Sequence, residues 1–262
     1  MRVTLGGDGR PTMAPPHRYG CFNAIWLVAA SLPLLSLAAS VFVNFDGGWW
    51  PSMPWSSLVP DALLYSAGAI VILAPLSGLL AASTELRDSP PGEAVRRRAR
   101  CVLFAVGLFA IGSSILTRFA AGPGSWTFIA TSHATLAAVA TALAAFGAFC
   151  ATTFSDPLDA AACSLASVLI VATGVFVAGT WAGLAPAWVV RTAVFASPLV
   201  AMAAASGIDL VRIDLLYQFS PLAHLRIDYP TWYVACGWYT FLTLGFLTLS
   251  WIRGAARTAA AC

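Results

Sequence analysis

A charged stretch between two apolar segments is the part of the sequence best suited to binding. It runs from Thr84-Glu85-Leu86-Arg87-Asp88 through Ser89-Pro90-Pro91-Gly92-Glu93 to Arg96, Arg97, Arg98 and Arg100. Asp88 or Ser89 can cap a short helix, with proline in its first turn and Glu93 favoured by the helix dipole. A short helix with charges of both signs suits docking onto a soluble partner. The arginines by themselves are also typical of an anchor that holds a loop on the cytoplasmic side of a membrane.

A second polar set lies in the segment 184–231. Between residues 209 and 216 charged and apolar side chains alternate, which predicts an amphipathic helix lying flat on the membrane. His224 precedes Asp228 by four residues, a spacing at which a carboxylate can orient an imidazole, but the sequence offers no further ligands nearby for a metal. The polar candidates of this segment are Asp209, Arg212, Asp214, His224, Arg226 and Asp228.

Catalytic motifs are not found elsewhere in the sequence. His133 follows Thr131 and Ser132 in an apolar stretch, where it is either a hydrogen-bonded structural residue or a ligand or proton relay. HExxH and GxxxxGK[ST] motifs are absent, and a chain without lysine has no standard Walker A motif. The six cysteines are scattered singly without metal-ligand spacing. We therefore predict no catalytic residue, cofactor or metal. If the protein does energy-dependent work, a separate polypeptide must hydrolyse the nucleotide.

Composition identifies the class of protein that must position these residues. The 262 residues are 59% hydrophobic and 10% charged, whereas a soluble domain has about 25% charged residues. Disorder requires low hydrophobicity and high charge, which is the reverse of this composition. The sequence therefore predicts an all-α, polytopic membrane protein.

Six segments are long and apolar enough to cross about 30 Å of hydrocarbon. They are residues 21–45, 61–83, 101–117, 128–154, 158–182 and 232–252. Around them lie a tail at 1–20, an outer loop at 184–231 and a tail at 253–262. Within the outer loop, Trp188–Ala205 is apolar apart from Arg191 and contains Ser197-Pro198, which predicts a broken, re-entrant or interfacial helix. A seventh crossing there is the alternative.

The distribution of arginine predicts the orientation. Ten of the fourteen arginines fall in the tail 1–20, the connection 84–100 and the tail 253–262. The other four are Arg118, Arg191, Arg212 and Arg226. Because basic residues are retained on the cytoplasmic side, both termini should be cytoplasmic. Tryptophans cluster at the predicted outer ends, at positions 49, 50, 55, 126, 181, 188 and 232. The use of arginine alone suggests a GC-rich bacterial genome and hence a bacterial inner membrane.

Three parts of the sequence resemble the permease subunits of type-2 ATP-binding-cassette (ABC-2) exporters. The first is Val71–Leu76 followed by Thr84–Arg87, similar to an apolar second span that ends in a coupling segment. The second is Phe154–Ala161, similar to the inner turn before an alanine-rich fifth span. The third comprises Ser197–Leu199 and Tyr217–Leu222 ahead of Tyr229–Trp232, similar to outer-loop patterns of some members.

This resemblance implies six spans, cytoplasmic termini and short helices in the outer loop before the last span. It also implies a second permease copy or homologue, a cytoplasmic ATP-binding-cassette ATPase and a site in the lipid bilayer; we expect no nucleic-acid partner. The residues that would contact the ATPase are Glu85, Arg87, Glu93, Arg96, Arg97, Arg98, Asp156 and Asp159. Two alternatives stay open: a non-transporting subunit or assembly factor of a membrane complex, and a membrane enzyme or cofactor handler that uses His133, His224 and Asp228.

Overall fold

The structure, a computed structural model, describes residues 3–5, 11–13, 55–83, 126–180, 186–210 and 228–261. This part of the chain is mostly helical. Its helices are α1 (Trp55–Ser83), α2 (Trp126–Thr153), α3 (Pro157–Thr180), α4 (Ala187–Ala196), α5 (Pro198–Ala205) and α6 (Trp232–Ala261). In the tail 1–20, strands β1 (Val3–Leu5) and β2 (Pro11–Met13) pair antiparallel, with Val3 opposite Met13. The sequence patterns of the tail do not predict this hairpin.

The long helices coincide with predicted spans. Residues 128–154, 158–182 and 232–252 correspond to α2, α3 and α6, although α6 continues into the predicted tail as far as Ala261. Residues 61–83 lie within α1, whereas 21–45 and 101–117 lie outside the described residues.

Several described helices are apolar enough to belong in a membrane. Three segments have the length and apolarity to cross one: Trp126–Thr153, Pro157–Phe176 and Trp232–Ala256. The α4–α5 pair would make a fourth crossing if it counted as a single span, and the apolar stretch described in α1, Ser66–Leu79, is shorter. The chain thus has the helices of a membrane protein, and the total of six spans stays a prediction.

Hydroxyl side chains in these helices bond to their own backbone. Thr141 donates to the carbonyl of Ala137 at 2.7 Å, Thr248 to that of Leu244 at 2.8 Å, and Ser77 to that of Ala74 at 2.7 Å. A hydroxyl that binds a carbonyl of the preceding turn needs no water. These three side chains are therefore compatible with burial in lipid.

The packing contacts define the direction of each helix. The short turn 154–156 makes α2 and α3 an antiparallel pair. Leu79, near the end of α1, clusters with Ala148 and Ala160 beside this turn. Leu64, near the beginning of α1, packs instead against a cluster that contains Val175 of α3. Helices α1 and α2 are consequently parallel.

Helix α6 also runs parallel to α2. Thr135 Oγ1 lies 3.8 Å from Cys236 Sγ near the beginning of both helices. Further along, the ring centroids of Phe146 and Phe246 are 5.0 Å apart. Closer to the turn, the Arg253 guanidinium lies 5.6 Å from the ring centroid of Phe149. We call the end with residues 154–156 the turn end, and the end where α2 and α6 begin the loop end.

Helices α1 and α2 cross with their backbones in contact. A Cβ atom on Gly78 would overlap the carbonyl oxygen of Ala144, and one on Gly147 would overlap that of Pro75. At this crossing Gly78 therefore faces α2 and Gly147 faces α1. Small residues at such positions let membrane helices approach closely. The crossing binds α1 and α2 into one packed unit.

Candidate functional site

The main irregularity of the described bundle is the break between α4 and α5. The two helices differ in direction by 74°. Ser197 has extended backbone angles, φ −72° and ψ 115°, and its N–H donates to the carbonyl of Ala193 at 3.0 Å to end α4. Its Oγ accepts from the N–H of Val200 at 3.4 Å and caps α5. The break is encoded locally, because a residue before proline avoids the helical conformation and Pro198 suits the first helical position.

Three hydroxyl groups hold the broken helix inside the bundle. Ser197 Oγ donates to the carbonyl of Ala172 in α3 at 2.9 Å, and the side chain is fully buried. Tyr239 of α6, 2% exposed, donates to the carbonyl of Ala196 at 3.0 Å. At the other end of α5, Ser132 of α2 donates to the carbonyl of Ala205 at 2.7 Å.

These bonds connect the broken helix to α2, α3 and α6. Carbonyl groups at helix ends lack intrahelical donors and need other partners in lipid. The hydroxyls supply them, so the break is compatible with burial.

A glycine turn returns the chain after α5. Gly207 has φ 73°, a left-handed conformation that glycine adopts without strain. The N–H of Ile208 donates to the carbonyl of Ala203 at 2.9 Å, and the N–H of Gly207 to that of Ala204 at 3.1 Å. These two bonds form a Schellman motif. The motif ends α5 beside Phe128, which lies in the first turn of α2.

Both ends of the α4–α5 pair lie at the loop end of the bundle. The pair follows the end of α3 at Thr180, bends beside Ala172 and finishes beside Phe128. The depth of the bend follows from α6, on which the exposed Trp232 and Trp251 are nineteen residues apart. At 1.5 Å per residue their separation is about 28 Å, close to the hydrocarbon thickness of a bilayer. Tyr239 lies seven residues after Trp232, so the bend lies about 10 Å below the level of Trp232.

Helix α4 has two different faces. Val190 and Val194 are buried in a cluster with Val175 of α3. Trp188 is 68% exposed, and Arg191 and Phe195 are exposed on the other side. An apolar face toward the protein, with tryptophan and arginine outward, is typical of a helix at a membrane surface.

A hydrogen bond between two side chains links the residues that follow α5 to those that precede α6. The hydroxyl of Tyr229, just before α6, donates to Oδ1 of Asp209, just after α5. Asp228 precedes this tyrosine and is exposed. This bond therefore holds Asp209, after α5, next to Tyr229, before α6. The other outer-loop candidates, Arg212, Asp214, His224 and Arg226, lie outside the described residues.

Two of the predicted partner-contact residues lie at the turn end. Asp156 caps α3, since its Oδ1 accepts from the N–H of Leu158 at 2.9 Å and its carbonyl accepts from Ala160 at 3.1 Å. Asp159 lies in the first turn of α3, and both carboxylates are exposed. The remaining candidates, Glu85, Arg87, Glu93, Arg96, Arg97 and Arg98, lie outside the described residues.

His133 is buried in α2 at the loop end. Its Nδ1 lies 2.7 Å from the carbonyl oxygen of Ile129, a hydrogen bond within the helix. In the described part of the chain no group of three or more His, Cys, Asp or Glu side chains could hold a metal. Tyr239 and Ser132, which position the broken helix, are not singled out by the sequence as site residues because a hydroxyl in an apolar helix carries no signal of its partner.

No protein-family model, curated protein or solved structure matches this chain.

Proposed function

We propose that this chain is the membrane permease subunit of an ATP-driven exporter of the ABC-2 type. It has six spans in the bacterial inner membrane with both termini in the cytoplasm. It pairs with a second permease, and a separate ATP-binding-cassette ATPase supplies the energy.

The observation that carries this proposal is the broken helix pair before α6. Because α4 and α5 begin and end at the loop end, the pair enters the bilayer and returns without crossing it. Non-helical backbone at membrane depth is tolerated where protein surrounds it or where it lines a pathway. A re-entrant pair directly before the last span supports a permease in which these helices border the outer end of a path.

Contacts between the helices could transmit a movement from the cytoplasmic side of the bundle to this pair. The coupling segment 84–100 follows α1, which is packed against α2 at Gly78 and Gly147. Helix α2 in turn holds the end of α5 through Ser132 and Ala205. A push by the ATPase on residues 84–100 would therefore move α1 and α2 together and act on the re-entrant pair. The exposed Asp156 and Asp159 at the turn end provide a second contact for the ATPase.

A non-transporting subunit of a membrane complex is the second candidate. This candidate is favoured because the hydroxyl groups of Ser132, Ser197 and Tyr239 all donate to backbone carbonyls of this chain. A bundle whose polar groups serve its own backbone suits a scaffold. The two candidates differ in whether an ATPase is bound and responds to the chain.

Purification from native membranes tests the proposal. We expect the affinity-tagged chain to carry a stoichiometric ATP-binding-cassette ATPase, identified by mass spectrometry and by vanadate-sensitive ATP hydrolysis. The double variant Glu85→Arg with Arg87→Glu should lower this hydrolysis several-fold, because reversed charges oppose docking. Asp228→Arg, at the opposite end of the bundle, is the matched control and should leave it unchanged. A complex without such an ATPase would reject the permease and support the scaffold.

A further inference from the structure

Helices α4 and α5 are attached to the bundle in different ways. Helix α5 packs against α1, α2, α3 and α6, and its Val200, Ala201, Met202 and Ala203 are buried. Among the described elements, α4 packs mainly against α3 and α5. The inner helix of the pair is therefore enclosed, whereas the outer helix lies at the edge.

The apolar contacts of α4 hold it weakly. Of the α4 residues whose burial is described, Val190 and Val194 are buried, and they share a cluster with Val175 of α3 and Val200 of α5. In a bilayer, apolar side chains exchange protein contacts for lipid contacts without a hydrophobic penalty, because lipid tails are equally apolar. The position of α4 then depends largely on the hydrogen bonds where it joins α5.

Those hydrogen bonds have separate roles. Ser197 fixes the junction to α3 through Ala172 and starts α5 through Val200, so it remains in place whichever way α4 points. Tyr239 binds the carbonyl of Ala196, the last residue of α4. A rotation of α4 about Ser197 turns this carbonyl away from the hydroxyl, and hydrogen bonds weaken steeply with misalignment.

We infer that α4 is a hinged arm that pivots at Ser197 and is locked against α3 by the hydroxyl of Tyr239. The locked arm covers the end of α3, and the released arm lies in the membrane surface with Trp188 and Arg191 among lipid headgroups. The hinge is a property of the fold and does not depend on ATP-driven transport.

Pulsed electron–electron double resonance on the full chain in lipid nanodiscs tests this arm. Spin labels are placed at Thr192→Cys on α4 and at Thr127→Cys in the first turn of α2, which is distant from the pivot; both positions are exposed, and the six native cysteines are first replaced by alanine. The chain with Tyr239 should give mainly one short distance. Tyr239→Phe, which removes only the hydroxyl, should raise the ratio of long to short distances about two- to tenfold. Tyr233→Phe, an exposed tyrosine on the same helix, should leave it unchanged.

The double variant Tyr239→Phe with Ser197→Ala provides the decisive result. Without the hydrogen bonds of both side chains, the distribution of distances between the spin labels should gain a clearly resolved longer distance. Circular dichroism should show that the helix content is retained. A single short distance in the double variant, equal to that of Tyr233→Phe, would overturn the proposal because α4 would then be rigid without these bonds.

Discussion

At the scale of single residues, Asp156 combines a structural and a proposed functional role. Its side chain caps α3 through the N–H of Leu158, and Pro157 supplies the first helical residue. Asparagine caps helices about as well as aspartate, whereas alanine does not. The cap therefore needs an oxygen acceptor but not a charge, so substitutions can separate the two roles.

We expect Asp156→Ala to lower the free energy of unfolding by about 1 kcal/mol, the usual loss when a capping side chain is removed. Asp156→Asn should retain the stability. Unfolding in dodecyl sulfate, followed by circular dichroism, measures both variants. If the permease carrying Asp156→Asn still stimulates the ATPase fully, Asp156 acts only as a helix cap and its charge has no part in coupling. The variant Asp159→Asn then tests the neighbouring carboxylate, for which no capping bond is described in α3.

At the scale of helices, α1 and α2 cross with backbone against backbone at two glycines. An added Cβ on Gly78 would lie 2.9 Å from Cα of Ala144, and one on Gly147 would lie 3.0 Å from Cα of Pro75. In both cases the obstacle is backbone, which cannot rotate away like a flexible side chain. The helices would have to separate.

We expect Gly78→Ala and Gly147→Ala each to lower the free energy of unfolding by about 1–3 kcal/mol, the range for overpacking. Gly68→Ala in α1 and Gly174→Ala in α3 are matched controls, since an added Cβ there meets no atom within 4 Å. Thermal unfolding in detergent compares the four variants. Equal stability of all four would show that α1 and α2 do not meet at these glycines.

At the scale of the whole molecule, the helix directions predict which residues share a side of the membrane. Asp156 and Ala259 belong to the turn end, whereas Thr127 and Asp228 belong to the loop end, and all four are exposed. The arginine distribution predicts that the turn end lies in the cytoplasm.

We expect single cysteines at Thr127 and Asp228 to react with a membrane-impermeant maleimide in intact spheroplasts, and those at Asp156 and Ala259 to react only after permeabilisation. The background again lacks the native cysteines. A complete reversal would show that the orientation is wrong and the fold right. Labelling that divides the residues of one end would contradict the parallel arrangement of α2 and α6.

The sequence by itself determined the features that depend on residues close together in the chain, namely the apolar helices and the break between α4 and α5. Long apolar segments predict membrane helices because the bilayer requires about 20 apolar residues for a crossing. Ser197-Pro198 predicts the break, since proline restricts the preceding residue and lacks a donor. The outer-loop candidates Asp209 and Asp228 are found near the base of their segment, but the sequence does not reveal the bond from Tyr229 to Asp209.

Only the tertiary structure decided which helix faces meet. In lipid both sides of a helix such as α2 are apolar, so periodicity does not distinguish a protein-facing side from a lipid-facing one. The contact of Gly78 with Ala144 and the bonds of Ser132 and Tyr239 join residues far apart in the chain. A hydroxyl can bond to its own helix or to a neighbouring one, and the packing of the neighbours selects between them.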